Sequence, residues 1–149
     1  MEAAVFVGIQ GSGKTTFYLA HFFRSHVRIG LDMLRTRHRE AILLRACIEA
    51  KQRFVVDNTN PSVAERARYL TPARAAGFRT VAYYFPPDVE ACLERNAGRP
   101  EWECVPVKGL LGTRRRLEVP TLTEGFDRLC AVTPDGRGGF VVEEWRHDG

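Results

Sequence analysis

Gly8-Ile9-Gln10-Gly11-Ser12-Gly13-Lys14-Thr15 follows the apolar run Ala3-Ala4-Val5-Phe6-Val7 and precedes a helical pattern over residues 15–24. Strand, glycine-rich turn and helix in that order form the P-loop pattern G-x-x-x-x-G-K-[ST]. Its glycines let backbone N–H groups turn inward onto phosphate oxygens, and the helix N-terminus adds its positive dipole. Lys14 is placed to bridge the β- and γ-phosphates of a nucleoside triphosphate, and Thr15 to offer its hydroxyl to Mg²⁺. The expected phosphate-binding set is Gly11, Ser12, Gly13, Lys14, Thr15 and the following Thr16, with ATP and Mg²⁺ as cofactors. This stretch names a donor and leaves the acceptor open.

Outward from the loop, short apolar strands alternate with helical patterns. A second strand over 27–31 ends at Asp32, and a helix over 36–51 carries Ile42, Leu43, Ala46, Cys47 and Ala50 on one side. Residues 53–57 read as a buried strand ending in Asp57, and Asn58-Thr59-Asn60-Pro61 turns the chain into a helix over 62–76 that stops at Gly77. A strand over 80–85, a helix over 89–96, an aperiodic segment over 98–107 and a helix over 107–117 follow. Two last strands, 129–132 and 140–145, are joined hairpin-fashion through 134–139. The alternation predicts an α/β fold, a mostly parallel sheet with helices on both faces, in which ligands bind at the C-terminal strand ends. Its 149 residues suit one domain, 1–149, with a mobile lid at about 98–107.

Composition excludes more than it assigns. A 44% hydrophobic and 27% charged chain is of ordinary globular type. With no long apolar stretch and no leader pattern, the expectation is an intracellular, cytoplasmic protein off the membrane, nuclear if eukaryotic. Cys47, Cys92, Cys104 and Cys130 lack metal-ligand spacing and read as reduced thiols. The net charge of +4 is carried almost wholly by arginine, which suits phosphate recognition but equally reflects a bias toward arginine codons.

Asp32 and Asp57 both sit at strand ends expected to flank the P-loop strand. Phosphoryl transfer needs a metal-holding group and a group that deprotonates the attacking hydroxyl. Asp57 fits the first role and Asp32 the second, with Arg35 three residues on. The alternatives are a helix N-cap for Asp32 and an Asx turn for Asp57. Arg95 and Arg99 bracket the start of the lid segment, where an arginine can close over the triphosphate. Arg114, Arg115 and Arg116 are either a nucleic-acid contact or a solvated helix end.

Together these motifs resemble the kinase domain of the polynucleotide kinase/phosphatase family. The resemblance rests on Gly8 to Thr15, Asp32 with Arg35, Val56-Asp57-Asn58-Thr59-Asn60-Pro61, Arg66-Ala67-Arg68-Tyr69, Arg95-Asn96 with Arg99, Val105-Pro106, and Glu118-Val119-Pro120-Thr121-Leu122-Thr123-Glu124-Gly125-Phe126. It implies an adenylate-kinase-like P-loop fold and transfer of the ATP γ-phosphate to a DNA or RNA 5′-hydroxyl end. Lys14, Asp32, Arg35 and Arg99 become the catalytic set: Asp32 as general base, Arg35 on the acceptor or its phosphate, Arg99 as lid arginine. Arg95 joins the nucleotide-binding set, and Thr15 and Asp57 serve the metal. The phosphatase and forkhead-associated domains of eukaryotic members have no counterpart, so a stand-alone kinase or a fragment is expected, and protein partners stay open. The alternatives are a kinase of a small-molecule hydroxyl and a non-catalytic ATP-binding module.

Overall fold

A computed structural model describes residues 1–147. Strands β1 (Glu2–Val7), β2 (Val27–Ile29), β3 (Phe54–Val56), β4 (Arg79–Tyr84), β5 (Arg128–Pro134) and β6 (Phe140–Trp145) form one sheet in the order β2-β3-β1-β4-β5-β6. The first five are parallel; β6 pairs antiparallel with β5, Val132 opposite Val142, so the expected terminal hairpin forms an edge of the sheet. The helices are α1 (Lys14–His21), α2 (Leu31–Leu34), α3 (Arg37–Glu49), α4 (Val63–Ala75), α5 (Val89–Ala97) and α6 (Val107–Arg116).

The period of two along β1 splits the core. Ala3, Val5 and Val7 join Leu44, Cys47, Tyr69, Leu70 and Ala73 of α3 and α4 on one face. Ala4 and Phe6 join Phe17, Tyr18 and Phe22 at α1 on the other. There the Phe6 ring lies 5.5–5.8 Å from those of Phe17, Phe22, Tyr83 and Phe85, edge-biased pairings worth about 0.5–1.5 kcal/mol each beyond area burial.

The chain leaves β1 through α1 toward β2, and leaves the adjacent β3 through α4 in the opposite direction toward β4. Neighbouring strands whose exits diverge open a crevice at their C-terminal ends, the switch point where α/β sheets bind ligands. The loops after β1 and β3 therefore face each other, and two bonds clamp them: Gly8 N donates to Thr59 O at 3.0 Å, and the buried Asn60 Nδ2 donates to Phe6 O at 2.8 Å.

Three local expectations are corrected. The second strand stops at Ile29, because Gly30 is the extended N-cap of the short α2, which takes Leu31 and Asp32. The inner face of α3 is Glu40, Leu44 and Cys47, whereas Ile42 points out and is 49% exposed; a buried carboxylate holds a core position that an apolar pattern passes over. The aperiodic segment after α5 contains a 3-10 turn, Glu101–Glu103.

Candidate functional site

The crevice is built around an open helix end. Thr36, Ser62 and Asp88 cap α3, α4 and α5 with side-chain oxygens, whereas α1, like α2 and α6, has no side-chain cap: its N-cap is Gly13, and its first turn holds no acidic residue. Its leading N–H groups are left for an anion. Gly11, at φ +79°, is fixed twice over: a Cβ there would also lie 2.5 Å from the Cys92 carbonyl oxygen of α5. From the other side Arg95 of α5 donates to the Gly11 carbonyl at 2.9 Å.

Lys14 folds back on the loop that carries it. Its Nζ donates to Gly8 O at 3.0 Å, Ile9 O at 2.8 Å and Ser12 Oγ at 3.4 Å. Burial pushes its pKa from 10.5 down to about 8; Arg99 pushes the same way, while Asp57, Cys92 and Asp32 oppose. Thr16 is exposed one residue beyond Thr15 at the start of α1.

Asp57 and Thr15 meet, with the Thr15 hydroxyl donating to Asp57 Oδ2 at 2.8 Å. A hydroxyl and a carboxylate side by side are oxygen ligands of the kind Mg²⁺ takes when substrate phosphates supply the rest. Among the described residues no cluster of three or more His, Cys, Asp or Glu stands together to hold a metal. Asp57 spends its carboxylate on Thr15 and on Arg28, whose Nε donates to the same oxygen at 2.7 Å, rather than on an Asx turn.

Asp32 lies in the first turn of α2 and is exposed; Gly30 takes the N-cap position, so the capping alternative does not apply. Asn58 fixes that helix, accepting Leu31 N–H at 2.9 Å through Oδ1 while its Nδ2 donates to Glu40 Oε2 at 2.9 Å and to Tyr69 Oη at 3.1 Å. Tyr69 and Arg37 complete the network on Glu40 Oε1, each at 2.8 Å. Burial first, then the Glu40 carboxylate, raises the Tyr69 pKa, so the phenol keeps its proton as donor. Arg35 is not on a helix face with Asp32, because α2 ends at Leu34 and Arg35 follows at φ +73° with its N–H on Leu31 O.

Arg99 follows α5 at the start of the 98–107 segment. Buried Asn96 pins that segment, donating to Val105 O at 2.6 Å and accepting Val105 N–H at 2.9 Å. Arg114, Arg115 and Arg116 form the exposed last turn of α6, where cations suit the helix dipole, and Arg116 reaches Glu65 at 3.6 Å.

Arg28, Asn58, Glu40 and Arg66 escape a reading of local pattern. Arg28 left a trace, as a charge between apolar Val27 and Ile29 on the short edge strand β2. Arg66 is fully buried and bidentate on Glu124 at 2.7 and 2.9 Å, with its remaining nitrogen on the carbonyls of Asn60, Pro61 and Glu118. The Asp-Asn-Thr-Asn-Pro turn, α4 and the segment from Glu118 to Phe126 are thereby one scaffold.

A family model described as an AAA domain matches residues 4–120. The bifunctional polynucleotide phosphatase/kinase of Schizosaccharomyces pombe is 26% identical over 138 residues, covering 88% of this chain and 33% of that protein, so the chain spans about a third of that relative's length. Chaetomium thermophilum Kti12, solved in complex with ADP-AlF3, superposes with a TM-score of 0.69 at 19% identity, covering 89% of each chain. A gluconokinase from Sinorhizobium meliloti 1021 gives 0.60 at 21% identity, covering 89% of this chain and 82% of its own. A chain of the PezAT toxin–antitoxin system of Streptococcus pneumoniae gives 0.62 at 16%, covering 89% and 68%. The structural likenesses establish the P-loop kinase-type fold. Among the described residues no helix is long and apolar enough to cross a membrane.

Proposed function

The chain belongs to this AAA-domain family, and from that premise we propose that it is an ATP-dependent kinase transferring the γ-phosphate to the 5′-hydroxyl end of DNA or RNA. The observation that carries the reading is the phosphate loop with its neighbours: Lys14 at the uncapped start of α1, Thr15 bonded to Asp57, and Asp32 exposed on α2, whose Leu31 N–H is held by Asn58 next to Asp57. The ADP-AlF3 complex of Kti12 supports an adenine nucleotide as donor, and the S. pombe relative supports a polynucleotide acceptor.

In this mechanism the α1 N-terminus and the loop N–H groups receive the triphosphate, and Lys14 exchanges its loop carbonyls for β- and γ-oxygens. Thr15 and Asp57 would hold Mg²⁺, which supplies charge neutralisation at those oxygens when bound. Asp32 accepts the proton of the attacking 5′-hydroxyl on a carboxylate oxygen, Arg35 lies beside the acceptor, and Arg95 and Arg99 neutralise charge developing on the phosphates. The test is transfer of labelled γ-phosphate to a 5′-hydroxyl oligonucleotide by the wild type and Asp32→Asn. Turnover should fall by roughly 10² to 10⁴ with nucleotide affinity held within about twofold. An equally active variant refutes the mechanism.

One observation favours a second reading, a kinase of a small-molecule hydroxyl: the lid carries exposed Glu101 and Glu103, which repel a polyanion. That reading expects a nucleoside-sized acceptor to react as well as one extended by 3′ nucleotides, compared at one fixed salt concentration.

A further inference from the structure

Arg28 is a charged side chain in the middle of the short edge strand β2 that neither phosphate binding nor hydroxyl activation employs. Its Nε donates to Asp57 Oδ2 at 2.7 Å, and a terminal nitrogen lies 3.4 Å from Thr15 Oγ1, which itself donates to Asp57 Oδ2 at 2.8 Å. Three groups close a triangle, and two of them are the oxygen groups assigned to the divalent cation. The Asp57 side chain is 2% exposed and that of Arg28 20%. Gly30 lies beside the pair: a Cβ there would stand at ordinary contact, 3.6 Å, from the nearer Arg28 terminal nitrogen and at a tight 3.1 Å from the Asp57 backbone carbonyl.

A guanidinium does not shed its proton in a protein, so Asp57 is already neutralised before any nucleotide arrives. Among the described residues no group of three or more His, Cys, Asp or Glu stands together to hold a metal by itself. A divalent ion approaching without nucleotide meets a carboxylate already paired and a fixed positive charge a few ångströms away. The β- and γ-phosphates change that balance by bringing several negative charges of their own.

We infer that Arg28 is a resident cation of the metal site, excluding free divalent metal from Thr15 and Asp57 until a nucleotide delivers it. The inference rests on the reading of Thr15 and Asp57 as the metal-holding pair and adds the control of that pair. Metal and nucleotide then enter together, and the free ion does not load the loop.

Mn²⁺, followed by electron paramagnetic resonance, is the probe on the full chain, with and without ADP. Arg28→Gln keeps a donor for Asp57 and removes the charge; Arg28→Lys keeps the charge. Without nucleotide, Arg28→Gln should bind Mn²⁺ at least about tenfold more tightly than wild type, the least that one charge facing a divalent ion at such range costs even in water-like dielectric. Arg28→Lys should stay as weak as wild type. Equal binding by Arg28→Gln and wild type overturns the inference, and so does tightening by both variants, which would make the role geometric. Asp57→Asn, read independently of how the Arg28 variants fold, should leave nucleotide-free Mn²⁺ binding unchanged but weaken binding about tenfold or more with ADP present. A loss already present without ADP overturns the gate alone. No loss under either condition overturns the metal assignment beneath it.

Discussion

Lys14 should take up a proton when nucleotide binds, and the amount can be worked out. Burial holds its pKa at about 8 in the empty loop, against 10.5 for a free lysine. At pH 8 about half of the Lys14 side chains are therefore neutral, and at pH 7 about a tenth. Phosphates replacing the carbonyls of Gly8 and Ile9 favour the ammonium and return the pKa toward its ordinary range. ADP binding should then consume about 0.5 proton at pH 8 and about 0.1 at pH 7, with the terminal phosphate, whose own ionisation lies near 6, nearly silent at pH 8. Isothermal titration calorimetry at pH 8 in two buffers of different ionisation enthalpy reads the number as a slope. Lys14→Arg, which cannot lose its proton, should flatten that slope. A flat slope for the wild type at pH 8 refutes the reasoning. The linked stability effect has a fixed sign: between about pH 8 and 10.5 the unfolded chain binds more protons at this site, so the nucleotide-free protein gains stability from it as pH rises through that window.

Glu124→Ala leaves the fully buried Arg66 guanidinium without its carboxylate and should cost about 3–5 kcal/mol, or roughly 10 °C in Tm for a chain of this size; urea and thermal unfolding within about 1 kcal/mol of wild type would contradict it. Asn58→Ala removes the acceptor of Leu31 N–H and a donor to buried Glu40; stability should drop by about 1–3 kcal/mol, and turnover should fall with nucleotide affinity kept, as read by parallel kinase and ADP-binding assays. Gly11→Ala forces a Cβ onto the Cys92 carbonyl at a left-handed φ and should weaken ADP binding about tenfold or more, whereas unchanged affinity in equilibrium dialysis would mean that α5 yields freely.

What the sequence discloses is what local chemistry encodes. The phosphate loop depends on eight consecutive residues, and the buried strands announce themselves as unbroken apolar runs such as Phe54-Val55-Val56. Helix α2 is too short to show a period, so Leu31 reads as strand until Gly30 is seen to end β2. Arg28 with Asp57 and Arg66 with Glu124 are joined across 29 and 58 positions, distances at which residue pattern carries no signal. The arginine-rich composition, read as nucleic-acid affinity or codon bias, also hides two arginines that are neither. The segment from Glu118 to Phe126, so prominent in the family resemblance, acts through Arg66 to hold the turn bearing Asp57 and Asn58.

Helix α5 touches the phosphate loop and the 98–107 segment at once. Its Cys92 carbonyl and Arg95 guanidinium grip Gly11 from two sides, and one residue later Asn96 fastens the strap that begins at Arg99. A helix held at both places should act as a lever: a shift of Gly11 as phosphate enters should reach the strap, and by reciprocity a shift of the strap should alter the grip on phosphate. Trp102, 83% exposed at the tip of that strap, is a built-in optical pointer on the lever's long arm. Its fluorescence should change with ADP, and Arg95→Ala should blunt that change even where ADP is saturating.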